Sequence, residues 1–220
     1  MKSQKTALLI SGGILNASFL QTVLTEEQPD YVVAADAGLR LCKETGLCPD
    51  CIVGDFDSVA ADILKDYDGK TRIVTHQPEK DATDTELAIE LAIEAGCDRI
   101  LLCGATGGRI DHMLANLDTL KCMLDCKVTG VVLDEQNRIT LHNSSFSMSK
   151  KTCYGTYFSL IPYSDVVTGV TLQGMKYPLT DATLKKGKQS GLCVSNEIVE
   201  ETAHITLREG MVLAIESKDR

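Results

Sequence analysis

The sequence contains no tryptophan and no apolar run long enough to cross a membrane, although 44% of its 220 residues are hydrophobic. A transmembrane helix needs roughly 18 or more consecutive apolar residues, so none is expected here. The N-terminal apolar stretch covers only residues 7–10 before Ser11, Gly12 and Gly13. That stretch is too short for the core of a signal peptide. We therefore expect a cytoplasmic protein with an ordinary hydrophobic core and no membrane partner.

A complete set of zinc ligands is also missing. The nine cysteines include a single C-x-x-C pair, Cys48 and Cys51, and neither a second pair nor an H-x₃₋₅-H motif accompanies it. An odd number of cysteines, scattered through strand-like and helix-like segments, argues against a disulfide framework. We expect reduced and mostly buried thiols, with a zinc or redox role for the pair as the alternative.

The sequence shows no basic stripe of the kind that nucleic-acid binders carry. Residues 1–135 contain 12 Lys and Arg against 23 Asp and Glu, a net charge of −11. The remaining residues contain 10 against 8, a net charge of +2. We therefore expect no nucleic-acid partner. An acidic region that binds a polyanion needs a divalent cation between the two, although most of these acids are ordinary surface charges.

The first 135 residues alternate strand-like and helix-like patterns. The strand-like segments are short, apolar and rich in β-branched residues, as in sheets covered on both faces. The pattern predicts a mostly parallel, doubly wound α/β sheet with helices on both faces. The predicted strands are residues 6–10, 31–35, 51–53, 71–75, 99–103 and 128–133. The predicted helices are residues 36–45, a helix with a capping box at Thr83 and Glu86, and residues 111–124.

From residue 136 onward the helical periodicity disappears. Short alternating segments follow at residues 154–161, 166–172, 192–195, 202–207 and 211–216, separated by Gly and Pro turn signals. This pattern predicts a second domain, residues 136–220, built as a smaller antiparallel β-sandwich. A unit of this size is near the lower limit for an independent core. We therefore expect it to pack on the first domain, residues 1–135, or on a second subunit.

Acidic residues follow several of the predicted strands. Asp36 follows residues 31–35, Asp55 and Asp57 follow residues 51–53, and Asp81 and Asp84 lie beyond residues 71–75. In an open parallel sheet the carboxyl ends of the strands share one edge, where ligands bind. Carboxylates brought together there favour a hard cation, which indicates Mg²⁺. The alternative is that these aspartates form turns or cap helices.

A glycine-rich loop, residues 104–108, joins the fifth predicted strand to a helix. Its backbone N–H groups can approach a phosphate, and Arg109 adds a forked positive charge. The loop is not a Walker A motif, which the sequence lacks, and a tight turn needing positive φ is the alternative. Asp111 and His112 come next; His112 could contact phosphate or orient Asp111, or simply lie in the first turn of the helix.

Taken together, these motifs resemble those of the thiamine pyrophosphokinase family. The resemblance spans nearly the whole chain in order, and it is specific as a combination although each motif is short. The matching segments are residues 35–38 (ADAG), 54–59 (GDFDSV), 80–84 (KDATD), 107–112 (GGRIDH) with Leu114 and Asn116, 176–179 (KYPL) and 195–197 (SNE).

The resemblance implies an Mg²⁺-dependent transfer of a diphosphoryl group from ATP to thiamine, in a homodimer whose thiamine pocket lies at the subunit interface. It implies metal ligation by Asp55, Asp57 and Asp84, with Asp81 as a helper. Tyr177 is the expected platform for thiamine, where the family can carry tryptophan. Residues implied on the nucleotide side are Asp36, Lys80, Gly107, Gly108, Arg109, Asp111 and His112, and those implied on the thiamine side are Asp111, Tyr177, Ser195 and Asn196.

Two other functions fit parts of the sequence. Residues 55–59 also resemble the D-x-D-x-[TV] nucleophile motif of haloacid-dehalogenase phosphatases. That motif normally follows the first strand, whereas here it follows the third predicted strand, with two others before it. A nucleotide or vitamin sensor could use the same fold without turnover. For Ser195 and Asn196, the alternative to a binding role is a turn between strands.

Overall fold

A computed structural model describes residues 4–56, 61–75, 83–188 and 190–219 of the chain. Asp57, Lys80 and Asp81, three residues of the predicted site, lie outside these ranges. The chain divides into two compact units, Met1–Glu135 and Gln136–Arg220. Within the described ranges, no helix combines the length and apolar character that crossing a membrane requires.

The first unit contains a parallel sheet in the order β4-β3-β2-β1-β5-β6. Strands β1 and β5 are interior neighbours in this sheet, paired in register from Thr6 with Arg99 to Ile10 with Cys103. All five residues of β1 are buried, as expected for a strand with helices over both faces. The strands are β1 (Thr6–Ile10), β2 (Tyr31–Ala35), β3 (Cys51–Gly54), β4 (Arg72–Thr75), β5 (Arg99–Cys103) and β6 (Thr129–Leu133).

Helices connect these strands and cover the sheet. α4 packs on β1, β2 and β3, α5 packs on β6, and α2 packs on β2 and α1. The predicted α/β class is confirmed by this arrangement. The helices are α1 (Ala17–Glu27), α2 (Gly38–Thr45), α3 (Ala61–Lys65), α4 (Asp84–Glu94) and α5 (Ile110–Asp125).

The helix predicted over residues 36–45 begins two residues later than expected. Asp36 has a left-handed backbone with φ 39°, which does not continue into a helix. Helix α2 instead starts at Gly38, where a Cβ would lie 2.1 Å from the carbonyl oxygen of Ile10. The close approach of α2 to β1 therefore requires glycine at this position. The periodicity argument also missed α1 and α3.

The second unit contains two antiparallel sheets. In one, β13 pairs with both β7 and β9; the other has the order β11-β10-β12-β8. A single buried cluster takes side chains from both sheets, including Phe158, Leu160, Val170 and Ile205. The predicted sandwich is confirmed. Its strands are β7 (Asn137–His142), β8 (Phe146–Ser149), β9 (Tyr157–Pro162), β10 (Val166–Gln173), β11 (Leu179–Lys185), β12 (Thr202–Thr206) and β13 (Val212–Ser217).

One predicted strand of this unit is wrong. Residues 192–195 do not form a strand; Ser190–Cys193 form a short 3₁₀ helix, and Ser195 has a left-handed backbone with φ 56°. The single apolar side chain that this segment buries in the core is Cys193. Strands β7, β8 and β11 were not predicted at all. In β11 only Leu184 is buried, so its sequence carries little of the alternation that identifies a strand.

Candidate active site

A cleft of about 590 Å³ opens at the carboxyl ends of β1, β2, β3 and β5 in the first unit. Most of the described nucleotide-side and metal-binding residues from the sequence prediction line it. The predicted residues in its lining are Asp36, Asp55, Asp84, Gly107, Gly108, Arg109 and His112. Asp111 joins this group through its ion pair with Arg109. The common edge of a parallel sheet thus brings together residues that lie up to 76 positions apart in the chain.

The acidic side of the cleft is shaped by the ends of β2 and β3. The backbone N–H of Asp36 donates to Val53 O at 2.9 Å, so the two strand ends stay paired beyond the sheet. A Cβ on Gly54 would lie 3.3 Å from the Cα of Asp36, which is a tight approach. Phe56 then takes a left-handed backbone with φ 60° and turns the chain. Asp36 and Asp55 both reach the cleft as a result.

Asp84 occupies the first position of α4, but it is not the cap of this helix. Thr83 accepts a hydrogen bond from Glu86 N at 3.2 Å, and the Glu86 carboxylate accepts one from Thr83 N at 2.7 Å. This reciprocal capping box satisfies the end of the helix. Thr83 and Glu86 therefore already cap this helix, which was the alternative role considered for Asp84. Asp84 instead lines the cleft.

The floor of the cleft consists of two backbone loops that hold each other. One is the β1 loop, residues 11–14; the other is the glycine loop, residues 104–108. Gly13 N donates to Gly104 O at 2.7 Å, and Ile14 N donates to Thr106 O at 3.1 Å. Gly104 has φ 69°, and a Cβ there would lie 2.4 Å from Ser11 O. Glycine is thus required both for the turn and for the contact between the loops.

Two side-chain hydrogen bonds fix the glycine loop further. Thr106 Oγ1 donates to the Asp134 carboxylate at 2.7 Å, and Asn116 Nδ2 donates to Ala105 O at 3.0 Å. Asp134 was missed, although it follows β6 at the same edge of the sheet and the rule that selected Asp36 and Asp55 could have selected it. The hydroxyls of Ser11 and Thr85, two residues of the cleft lining, also hydrogen-bond to each other at 3.1 Å.

Arg109 and Asp111 form an exposed, forked ion pair at the mouth of the cleft. Arg109 Nε and Nη2 reach the two carboxylate oxygens at 3.1 and 2.5 Å. Hydrogen bonding from Arg109 lowers the pKa of Asp111 to about 2, and His112 N donates to the same carboxylate. The Arg109 side chain is 73% exposed despite the ion pair. The pair fixes a positive charge next to the glycine loop.

The chemistry of the cleft suits Mg²⁺, because its acidic ligands are hard carboxylate oxygens. Within the described part of the chain, no three His, Cys, Asp or Glu side chains are grouped closely enough to hold a metal ion by themselves. Mg²⁺ is commonly held by one or two carboxylates together with phosphate oxygens of a substrate. Asp36, Asp55 and Asp84 in one cleft meet that smaller requirement.

The nine cysteines are all free thiols, and five of them are buried. In the C-x-x-C pair Cys48 is exposed and Cys51 is buried, and burial raises the pKa of Cys51. Burial likewise raises the pKa of Cys42 to about 12. Thiolates are the reactive and metal-binding form, so these shifts disfavour the zinc or redox alternative and agree with the expected reduced thiols.

Of the predicted thiamine-side residues, Tyr177, Ser195 and Asn196 lie in the second unit, whereas Asp111 lies in the first. Tyr177 is 57% exposed, whereas Asn196 is 2% exposed. The Asn196 amide accepts from Tyr177 N and Glu197 N, each at 2.9 Å, and donates to Tyr177 O at 2.8 Å. Ser195 N donates to Ser159 Oγ at 3.0 Å. Asn196 thus holds the backbone that presents the Tyr177 ring.

Comparison with known proteins gives consistent matches. Residues 23–131 match the family model described as Thiamin pyrophosphokinase, catalytic domain, and residues 143–212 match the model described as Thiamin pyrophosphokinase, vitamin B1 binding domain. The thiamine pyrophosphokinase of Bacillus subtilis (strain 168) is 31% identical over 216 residues, which cover 98% of this chain and 100% of that relative.

Solved structures agree with the sequence matches. The crystal structure of thiamine pyrophosphokinase from Bacillus subtilis superposes with a TM-score of 0.85 and 28% identity, covering 98% of this chain and 100% of that one. The thiamin pyrophosphokinase from Geobacillus thermodenitrificans gives a TM-score of 0.82 and 31% identity, covering 97% and 98%. Both matches extend through the two units described above.

Proposed function

The chain belongs to the thiamine pyrophosphokinase family, and we propose that it is an enzyme that transfers a diphosphoryl group from ATP to the hydroxyl of thiamine, giving thiamine diphosphate and AMP. The observation that carries this proposal is the cleft of the first unit, where carboxylates, a glycine loop and an arginine face one another. The match of both family models, in order along the chain, supports the choice of substrate.

We propose that the glycine loop and Arg109 bind the phosphates of ATP. Gly107 and Gly108 have φ values of 75° and 67°, and among the described residues a Cβ on Gly108 would meet open space. Phosphate oxygens can therefore approach the backbone N–H groups closely. Arg109, held by Asp111, adds a charge whose fork matches phosphate geometry. His112 lies on the same wall of the cleft, and Lys80 is proposed from the family resemblance alone.

For the metal, we propose that Asp55 and Asp84 hold Mg²⁺ together with Asp57, with Asp81 as a helper and Asp36 on the nucleotide side. Bound Mg²⁺ neutralises charge that develops on the phosphates during transfer. The capping box of α4 fixes the backbone at Asp84, and the pairing of Asp36 with Val53 fixes the neighbouring wall. The backbone positions of Asp36 and Asp84 are thus held by protein hydrogen bonds alone.

The transfer itself needs mainly positioning and charge neutralisation. The thiamine hydroxyl oxygen forms a bond to the β-phosphorus, and the bond from that phosphorus to the oxygen bridging the α- and β-phosphates breaks. AMP leaves with this oxygen, and the hydroxyl proton passes to solvent or to a neighbouring carboxylate. Arg109 offsets negative charge on the transferred group.

Tyr177 is the proposed platform for thiamine, a cation with two aromatic rings. Lys176 Nζ lies 5.7 Å from the Tyr177 ring centroid and pairs with Glu197 at 2.5 Å. Asn196 acts through the Tyr177 backbone, because its amide is committed there, and the Ser195 hydroxyl is a candidate contact for the aminopyrimidine.

We further propose a homodimer with the thiamine pocket at the subunit interface, to which Asp111 contributes on the thiamine side. Exposed apolar side chains of the second unit support this assembly, since such groups often mark interfaces. They are Tyr177, Leu192, Val194 and Val199, with exposures of 57, 41, 42 and 49%. The free thiols fit a reducing compartment, which supports a cytoplasmic location.

The test is product analysis with thiamine, ATP and Mg²⁺. We expect one AMP for each thiamine diphosphate, and no AMP without thiamine. Asp55→Asn and Asp84→Asn are expected to remove turnover, whereas Asp125→Asn, an exposed acid paired with Lys121 on α5, is the matched control. ADP as the product would contradict the proposal. An aspartyl-phosphate on Asp55 would favour the phosphatase, and tight binding without turnover would favour the sensor.

A further inference from the structure

The base of the glycine loop is held from two sides by other elements. On one side the β1 loop donates two backbone hydrogen bonds to it, from Gly13 to Gly104 at 2.7 Å and from Ile14 to Thr106 at 3.1 Å. On the other side Asp134 accepts the Thr106 hydroxyl at 2.7 Å. Residues 104–106 are therefore fixed on both flanks before the loop reaches its tip at Gly107 and Gly108.

A carboxylate is an unexpected side chain at position 134, beside the glycine loop. A carboxylate beside a loop that binds an anion weakens the attraction for phosphate by like-charge repulsion. Its advantage is the hydrogen bond: a charged acceptor makes a shorter and stronger bond to a hydroxyl than a neutral one does. Asp134 follows β6, whose five residues pair in register with β5, so this acceptor is carried by the sheet itself.

We propose that Asp134 is a positioning residue, which through Thr106 fixes the glycine loop in the conformation that receives the phosphates of a nucleoside triphosphate. The inference rests on the proposed function for the identity of that ligand. We call this hydrogen bond the Thr106–Asp134 clamp. A loop held in its bound conformation loses less conformational entropy when ligand arrives, so the clamp strengthens binding without touching the ligand.

This role predicts a particular pattern of losses. Without the clamp the loop samples other conformations, and only the fraction of molecules in the binding-competent conformation receives phosphate. The apparent affinity for the nucleoside triphosphate is therefore weaker. Contacts between thiamine and the Tyr177 platform are unaffected, because that platform lies in the second unit. Removing either partner breaks the same hydrogen bond, so removing both costs no more than removing the Thr106 hydroxyl alone. Loss of Asp134 also removes the like-charge repulsion, so it weakens binding less than loss of the hydroxyl does.

The experiment measures the Kd for ATP with Mg²⁺ by calorimetry in the absence of thiamine, where no turnover occurs. Thr106→Val is expected to weaken binding about tenfold, consistent with loss of one charge-assisted hydrogen bond, and Asp134→Ala by a smaller factor. The double variant is expected to match Asp134→Ala, and Thr106→Ser, which keeps the hydroxyl, to restore binding. Thr45→Val is the matched control, a half-buried threonine whose hydroxyl bonds Leu41 O on α2.

Unchanged ATP affinity in Thr106→Val would overturn the proposal, and so would additive losses or failure of Thr106→Ser to recover. If circular dichroism shows that Asp134→Ala does not fold, the ATP affinities of Thr106→Val and Thr106→Ser decide the proposal. If the wild type binds ATP but makes no AMP, the proposed reaction is refuted, and the ATP affinities of the variants still decide the clamp. A wild type that makes AMP while the variants bind normally refutes the clamp alone, and a wild type that binds no ATP refutes both.

Discussion

The side-chain amide of Asn196 is the part of the second unit whose removal should have the clearest consequence. It makes three hydrogen bonds, two to the backbone of Tyr177 and one to Glu197 N. Its own backbone pairs with Phe158 in both directions, at 2.8 and 2.9 Å. Asn196→Ala therefore leaves two N–H groups and one carbonyl without their protein partner while the main chain stays anchored.

The size of the effect follows from burial. A buried polar group left without its partner costs about 1–3 kcal/mol, and water can replace part of this loss at the half-exposed Tyr177 and Glu197. We expect Asn196→Ala to lower the free energy of unfolding by about 2–4 kcal/mol, within the range for loss of a buried hydrogen-bond network. Asn196→Asp keeps the acceptors but loses the donor and adds a buried charge, so it should be at least as destabilising.

The assay combines urea unfolding with steady-state kinetics. Because Asn196 holds Tyr177, we expect the KM for thiamine to rise about tenfold, which corresponds to about 1.4 kcal/mol. The KM for ATP should stay within about twofold, since the phosphate-binding residues lie in the first unit. Asn143→Ala, at an exposed position between β7 and β8, is the control and should change stability by less than about 0.5 kcal/mol. Unaltered stability, or an equal rise in both KM values, would refute the reasoning.

Four further predictions address separate features. Arg109→Lys replaces a forked contact with a point charge beside Asp111, so the KM for ATP should rise about tenfold; an unchanged KM would exclude a forked contact with phosphate. Tyr177→Trp should tighten thiamine binding and Tyr177→Ala weaken it, as measured by calorimetry, and equal affinities would remove the ring from the site. Asp57→Asn should abolish turnover in a protein with an unchanged circular dichroism spectrum, and wild-type activity would exclude Asp57 as a ligand. Burial lowers the pKa of His142 from 6.5 to about 4. The folded protein then binds fewer protons than the unfolded chain between these values, so stability is full above pH 6.5 and falls as the pH drops toward 4, by up to about 1.4 kcal/mol per pH unit. Urea unfolding of His142→Gln should lose this component of the slope, and an identical slope would contradict the assignment.

Much of the first unit follows from local patterns. Strands β1, β2 and β5 have the predicted ends, because each is a short apolar run closed by a polar or glycine residue. Helix α4 was identified by its capping box, a signal contained within four residues. Where backbone geometry depends on a distant contact, the prediction failed: the start of α2 is set by how closely Gly38 approaches β1.

The second unit was harder to predict for a physical reason. Strand β11 is mostly exposed and meets β10 through register irregularities, so its side chains do not alternate cleanly between core and solvent. The segment at residues 192–195 looks apolar enough for a strand, yet Leu192 and Val194 are 41 and 42% exposed. Hydrophobicity alone could not reveal that this segment turns instead of pairing.

The sequence by itself determined the α/β class, the antiparallel second unit, and the acidic and glycine-rich motifs at one edge of a sheet. It could do so because periodicity and the succession of strands and helices can be seen along the chain itself. A general rule then applies: the carboxyl ends of parallel strands share one edge of the sheet. The tertiary structure decided which side chains act on each other. Asp134 reaches Thr106 across 28 positions, and Asn196 reaches Tyr177 across 19. Such contacts depend on how β6 and the segments around the sandwich core are packed, and no spacing rule along the chain encodes them.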